Sequence, residues 1–253
     1  MRNSSSLFAA MLFFALIGVA SQSSAEPYVG ASIGFGFGQK VTGAKGDENT
    51  NYPDPPTTDP TDAPLLKNSK ISDLKLANTA IVSVKAGYFF SQIPFLGVES
   101  ELSYLRPDFK RQDVTLSHPG FDPLIGMTSM TEDQLAVRTD LFVLAFNAIY
   151  RYQGLKDITP YVGGGPALFV WRIHGTGFSG IVPSLDMPGT PGRRIYETSL
   201  DFGFDLKAVV EYSLSKEWAL GLEYRFQWSR VNFDNFRSIS NASGNYQGHA
   251  VSL

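Results

Sequence analysis

The sequence predicts an all-β fold, namely an eight-stranded antiparallel transmembrane β-barrel with up-and-down topology. Three observations lead to this prediction: apolar and polar residues alternate over long segments, long and short connections alternate along the chain, and aromatic residues collect near the segment ends. The 253-residue chain has a formal net charge of −3 and no cysteine. This composition excludes disulfides and thiol chemistry, and it gives no reason to expect a nucleic-acid partner, a metal or a cofactor.

The first 25 residues have the pattern of a secretory signal peptide. Arg2 supplies a positive charge, residues 7–20 are an uninterrupted apolar run, and small residues precede a cleavage point before Glu26. An N-terminal membrane anchor is the alternative, but the run is shorter than the ~20 residues that a spanning helix needs. We therefore expect a signal peptide over residues 1–25 and one barrel domain over residues 26–253.

Eight segments from Glu26 onward are predicted to be strands. In the clearest one, every second side chain from Leu200 to Tyr212 is apolar, and the intervening ones are mostly charged or glycine. Alternation puts the two sets on opposite faces, and its length fits the roughly 9–11 residues of a membrane-spanning strand. The phase of residues 159–173 is unclear. In order, the predicted strands are residues 29–37, 82–88, 98–104, 142–150, 159–173, 200–212, 218–229 and 245–253.

The connections between these segments alternate in length. Three are short, at residues 91–94, 154–158 and 213–217. The intervening ones are long, at residues 40–78, 107–134, 174–197 and 234–244. Transmembrane barrels have short periplasmic turns and long extracellular loops, whereas a soluble β-sandwich has no reason to sort its loops in this way.

Aromatic side chains are predicted to form two rings, one at each membrane interface. The strand preference of aromatic residues explains their number but not their collection at both ends. The ring beside the short turns comprises Tyr88, Phe89, Phe90, Phe95, Tyr150, Tyr152, Tyr161, Tyr212 and Trp218. The ring beside the long loops comprises Phe35, Phe37, Tyr104, Phe169, Trp171, Phe202, Trp228 and Phe233.

Four stretches, PYVGASIGFGFG, LGVESELSYLRPDF, TPYVGGGPALFV and LKAVVEYSLSKEWALGLEYRFQ, resemble the outer-membrane β-barrel family that includes the OmpA transmembrane domain, OmpX and porin-like proteins. The resemblance implies the bacterial outer membrane as the location. It implies as partners outer-membrane lipid and lipopolysaccharide, the barrel-assembly machinery, and an external ligand or host surface reached by the loops. Chains of this family usually end on an aromatic residue, whereas this one ends GHAVSL, so either the sequence stops just before such an end or its assembly signal is unusual.

If the apolar phase faces lipid, the polar phase faces the lumen. Charges of both signs then lie on neighbouring strands and must pair, because unpaired buried charge is costly. Two interpretations follow: a salt-bridged interior, or a selective conduit for small solutes. An eight-stranded bore is just wide enough to be filled by side chains, which favours the former. The predicted lumen charges are Lys85, Glu99, Glu101, Arg151, Asp201, Asp205, Lys207, Glu211, Glu223 and Arg225.

Three functional classes remain open from the sequence. The favoured one is a structural or surface-interaction protein, and the alternative is a porin-like channel. A lipid-modifying enzyme is less favoured: SISNASG partly resembles the Ser-Asn-Ala of lipid A deacylases, but Ser238 stands where that family has histidine. Of the histidines His118, His174 and His249, only His249 is a candidate base for Ser240. No catalytic residue is therefore predicted.

Overall fold

The alternating segments form strands in the computed structural model, which describes residues 26–48, 69–110, 112–117, 129–134, 138–176, 194–236 and 239–253. The expected signal peptide lies outside these residues. No helix within them is long and apolar enough to cross a membrane. The strands described are β1 (Glu26–Glu48), β2 (Ser69–Ile71), β3 (Leu74–Lys75), β4 (Thr79–Phe90), β5 (Ile93–Leu105), β6 (Gln112–Ser117), β7 (Ser129–Gln134), β8 (Arg138–Arg151), β9 (Ile158–Thr176), β10 (Arg194–Ser213), β11 (Ala219–Phe236) and β12 (Ile239–Ser252).

Eight of these strands close into a ring, which confirms the predicted barrel. Their order around the wall is β1, β4, β5, β8, β9, β10, β11 and β12, and β12 pairs back with β1. Every neighbouring pair is antiparallel; at the closure, Gly34 lies opposite Ser252. From Ile33 onward β1 pairs with β4 on one side and with β12 on the other, so backbone polar groups along this closed part of the wall are satisfied within the hydrocarbon.

The two faces of the wall are as the alternation predicts. On β10 the apolar phase points outward, where Phe202 is 74% and Leu206 48% exposed. The polar phase points inward, where Asp205 and Lys207 are buried. The exposed face is apolar because its solvent is lipid.

Several strands are longer than the sequence predicts, which corrects the predicted loops. β1 continues to Glu48, and β9 and β10 extend into residues 174–197. The fourth connection, residues 234–244, is not a long loop, since only residues 237–238 lie between β11 and β12. Apolar alternation marks only the part of a strand that meets lipid, so it does not show where a strand continues into water. We call the end with the long connections the loop end and the other the turn end.

The first two long connections also contain strands that the sequence does not predict. Beyond the start of β4, the wall beside β1 is continued by β3 and β2, with Val41 opposite Leu74 and Lys45 opposite Lys70. β6 then pairs with β2, and β7 with β6. The barrel wall therefore continues past the apolar band as a small sheet.

The structure places only some of the predicted aromatic residues on the outer face of the barrel. At the turn end Tyr150, Tyr212 and Trp218 are exposed on the outer face, as expected, but Phe89 and Tyr161 point inward and are buried. At the loop end Phe35 and Phe202 are exposed outside. Phe169 and Trp171, predicted for the same ring, are instead buried in the lumen with 0% and 1% exposure. The side chain of Phe233 lies outside the described part of the structure.

Candidate functional site in the barrel lumen

Six charged side chains alternate in sign around a closed ring in the lumen. Lys85 Nζ lies 3.2 Å from a carboxylate oxygen of Glu223 and 4.0 Å from one of Glu99. The other four neighbouring pairs are hydrogen-bonded salt bridges. In order, the members are Lys85, Glu99, Lys207, Glu101, Arg225 and Glu223, hereafter the charge ring. The three positive and three negative charges balance, so a buried cluster of this size carries no net charge.

The charge ring joins opposite walls of the barrel. Lys85 on β4 and the two glutamates of β5 come from one side, and Lys207 on β10 with the charged pair of β11 from the other. Two strands separate these walls in each direction around the barrel. Strand alternation explains the placement: Glu99 and Glu101 share the inward phase of β5, and Glu223 and Arg225 share that of β11.

A glycine leaves room for the long side chain of Lys85. A Cβ at Gly30, its cross-strand neighbour, would lie 3.1 Å from Lys85 Cε and 3.2 Å from Lys85 Cγ. Tyrosine hydroxyls complete the polar contacts from the turn end: Tyr28 donates a hydrogen bond to Glu99 at 2.7 Å, and Lys85 donates one to Tyr161 at 2.8 Å. The bore is therefore filled at this level by the protein's own groups.

Asp205 lies next to the charge ring on its loop-end side. Its carboxylate accepts hydrogen bonds of 3.2 Å from the side-chain amides of Asn147 and Gln227. Arg225 Nε lies 3.6 Å from it. Asp205 is thus a predicted lumen charge that accepts its hydrogen bonds from neutral donors and reaches the ring through Arg225.

Three predicted lumen residues lie away from the charge ring. Arg151 is at the turn end, 2.7 Å from Glu26 and with its guanidinium 3.8 Å above the ring of Phe89. Asp201 is towards the loop end and accepts hydrogen bonds from Asn232. Glu211 is half-buried on β10 and forms no salt bridge with a described residue.

An apolar layer that the sequence reasoning missed fills the lumen on the loop-end side of the charge ring. Tyr246 of β12 meets Trp171 of β9 edge-on, with ring centroids 4.9 Å apart. The layer's members are each at most 1% exposed, and hereafter they are the apolar plug: Leu141, Val143, Phe169, Trp171, Ile173, Val231 and Tyr246. The unclear alternation of residues 159–173 was the sequence feature that could have predicted this layer. A strand that is apolar on both faces meets lipid outside and an apolar layer inside.

Two segments that continue the wall at the loop end add apolar side chains beside the plug. Leu76 and Phe109 are bridged to each other and pack against the apolar plug. The second segment is fixed to β8 because Thr139 donates hydrogen bonds to Pro107 O at 2.7 Å and, through its backbone N–H, to Asp108 at 2.9 Å. The described part of the lumen is therefore filled by two successive layers of side chains, the charge ring and the apolar plug.

The structure does not bring together the serine and histidine considered for lipid chemistry. His249 faces outward, hydrogen-bonded to Tyr224 at 2.7 Å and beside Phe226, with ring centroids 5.2 Å apart. Ser240 lies nine residues back along the same extended strand, at about 30 Å. Ser238 and His118 lie outside the described residues. No three His, Cys, Asp or Glu side chains among those described are grouped to hold a metal ion.

The sequence matches the family described as "Outer membrane protein beta-barrel domain" over residues 6–253. A match across nearly the whole chain shows that this protein belongs to that family, a class of bacterial outer-membrane proteins. No curated protein sequence matches the chain.

Three solved outer-membrane proteins are similar in structure at low identity. Neisserial surface protein A is 12% identical, with a TM-score of 0.37 over 89% of this chain and 98% of its own. OprG from Pseudomonas aeruginosa is 11% identical, with a TM-score of 0.41 over 91% and 97%. The Yersinia pestis attachment invasion locus protein Ail, solved with the heparin analogue sucrose octasulfate, is 12% identical, with a TM-score of 0.35 over 90% and 98%.

Proposed function

We propose that this protein is a closed, non-enzymatic outer-membrane barrel with a structural or surface-interaction role, in which the charge ring stabilises the barrel and the loop end meets the partner. The signal peptide over residues 1–25 is cleaved before Glu26 in this proposal, and residues 26–253 form the barrel after delivery by the assembly machinery. Host surfaces and external ligands are the partner classes for the loop end. The porin-like channel is the alternative.

The closed lumen is the observation that supports this proposal. A solute entering from the loop end meets the apolar plug and then the charge ring. An ion in the plug would lose most of its water, while the carboxylate of Asp201 and the hydroxyl of Tyr246 at this level already have partners, which makes passage unfavourable. At the charge ring the carboxylates and cations already satisfy each other, so no free charge remains there to select a passing ion.

Planar-bilayer recording tests this proposal. We expect the purified full chain to show no steady conductance, while an open porin in the same bilayer conducts. Phe169→Ala should also fail to open a path, because the charge ring below the plug remains in place. Trp218→Ala, an exposed aromatic at the turn end, is the control for general loss of stability. A large steady conductance from the unmodified chain would support the channel instead.

Cysteine labelling tests the orientation, with the loop end outside the cell. The natural chain has no cysteine, so each introduced thiol is the only one. We expect Asp73→Cys, exposed at the loop end, to react with a membrane-impermeant maleimide on intact cells. Gln92→Cys, exposed in a turn at the other end, should react only after the outer membrane is permeabilised. The reverse pattern would place the loop end in the periplasm.

A further inference from the structure

A groove runs along the outer face of the barrel near its turn end. It has a volume of about 490 Å³ and an almost wholly apolar lining. The outward-facing side chains that line it, which define the wall groove, are Tyr150, Val162, Ala208, Val210, Leu222 and Tyr224. They belong to the apolar, lipid-facing phase of β8 to β11. The wall groove therefore opens towards hydrocarbon and not towards the lumen.

The wall groove exists because small side chains lie between large ones on neighbouring strands. Val162 on β9 is opposite Ala208 on β10, and this pair is flanked by Tyr150 on β8 and Tyr224 on β11. The two tyrosine strands are three strand spacings apart, about 14 Å. Towards the loop end, the side chain of Leu206 lies over the opposing glycine of β9. The groove is therefore closed on that side and open at the turn end.

Contacts outside the wall groove hold both of its tyrosine walls in place. The ring of Tyr150 meets Phe95 edge-on, with centroids 5.7 Å apart. The hydroxyl of Tyr224 is hydrogen-bonded to His249 at 2.7 Å. Because both rings are already fixed, a ligand that enters between them loses little free energy to the ordering of side chains.

The open end of the wall groove leads to two turns that carry charges of both signs. β9 and β10, which form its floor, run into residues 152–157 and 214–218. The two turns are adjacent, because Ser213 donates a backbone hydrogen bond of 2.9 Å to Asp157 O. Their exposed charged residues are Lys156, Asp157, Lys216 and Glu217, and none of these forms a salt bridge with a described residue. The mouth of the groove thus offers both a cation and an anion.

We propose that the wall groove binds one acyl chain of a zwitterionic phospholipid, whose phosphate and ammonium groups meet the two charged turns. This inference rests on the proposed orientation, which puts the turn end in the periplasmic leaflet. In hydrocarbon an apolar ligand gains close packing rather than escape from water, so shape decides what binds. A single flexible chain can enter a furrow that the convex wall of a second barrel would leave empty. A headgroup with both charges complements the mixed charges of the mouth.

Native mass spectrometry of the full chain folded in neutral detergent micelles tests the groove. We expect a single phosphatidylethanolamine to bind per chain. Ala208→Phe fills the floor of the groove and should weaken this binding roughly tenfold, because the acyl chain loses its packing contacts. Ala208→Leu fills it less and should have a smaller effect in the same direction. The matched control is Ala86→Phe, on the outward phase of β4 across the barrel from β10, which should bind as the unmodified chain does.

The same measurement tests the headgroup. Phosphatidylethanolamine should bind more tightly than diacylglycerol, which has the same acyl chains and no headgroup. Lys156→Gln combined with Lys216→Gln should weaken phosphatidylethanolamine binding about two- to fivefold, since exposed ion pairs each contribute little. Binding of diacylglycerol should not change in this double variant.

Any of four results would overturn the inference. The first is equal weakening by Ala208→Phe and Ala86→Phe, and the second is equal binding of phosphatidylethanolamine and diacylglycerol. The third is tighter binding of the anionic phosphatidylglycerol, which has no ammonium group. The fourth is a dimer without bound phospholipid that Ala208→Phe dissociates, which would make a second copy the occupant. Binding in micelles does not depend on orientation, so this inference and the labelling experiment can fail independently.

Discussion

Replacing Lys207 by methionine is expected to lower the free energy of unfolding by about 3–5 kcal/mol. The ammonium group is fully buried and forms salt bridges with both Glu99 and Glu101. Methionine has a similar volume, so the main change is two buried carboxylates that lose a shared cation. Arg225 still pairs with Glu101, whereas Glu99 keeps only Tyr28 and a contact with Lys85 at 4.0 Å. Urea unfolding in lipid vesicles, followed by tryptophan fluorescence, measures the difference.

Two further variants separate the loss of pairing from the loss of a lysine. Lys216→Met removes an exposed lysine at the turn end and should change stability little, because exposed charges contribute at most about 1 kcal/mol. Glu99→Gln added to Lys207→Met should recover part of the loss, since the uncompensated charge is gone. If the double variant is no more stable than Lys207→Met alone, the ion pairs are not what Lys207 contributes.

Leu206→Arg should destabilise the folded barrel by about 2–4 kcal/mol, because it puts a charge on the lipid face near the bilayer midplane. Leu206 is 48% exposed and lies in the middle of the apolar run of β10. The matched substitution is Leu220→Arg, which also replaces an exposed leucine but lies beside a turn. There the cost falls to about 0–1 kcal/mol, since the guanidinium reaches the interface.

The same vesicle unfolding assay compares these two variants. A larger loss for Leu220→Arg than for Leu206→Arg would mean that the hydrocarbon is not centred on Leu206. Equal, small losses would mean that the apolar phase does not face lipid at all.

The barrel could be predicted from the sequence because its strongest determinant is local. A membrane-spanning strand must be apolar on its lipid face, and every second residue from Leu200 to Tyr212 is apolar for this reason. The sequence also predicted that Glu99, Glu101 and Lys207 point inward, because charged side chains on a membrane-spanning strand cannot face lipid. It did not predict how they pair, since pairing depends on which strands face each other across the lumen. Arg225 binds Glu223 on its own strand and Glu101 on the opposite wall.

The apolar plug was harder to predict because its residues have two possible environments. Phe169 and Trp171 suit a membrane interface as well as a packed lumen, and residue type alone does not distinguish the two. The strand extensions escaped prediction for a related reason. β1 carries bulges between Phe37 and Lys40 and between Thr42 and Lys45, which break the period-two pattern although pairing with β12 continues.

The charge ring also constrains the order of events in folding. Glu101 is 106 residues before Lys207 and 124 residues before Arg225. Both partners therefore lie in the last third of the chain, which is synthesised after Glu101. Until β10 and β11 arrive, a partial wall carries two carboxylates with only Lys85 near one of them. Such a half-built wall is poorly suited to hydrocarbon, because both carboxylates would be buried without adequate partners. Entry into the bilayer and closure of the wall are therefore expected to occur together, with few stable intermediates inside the membrane.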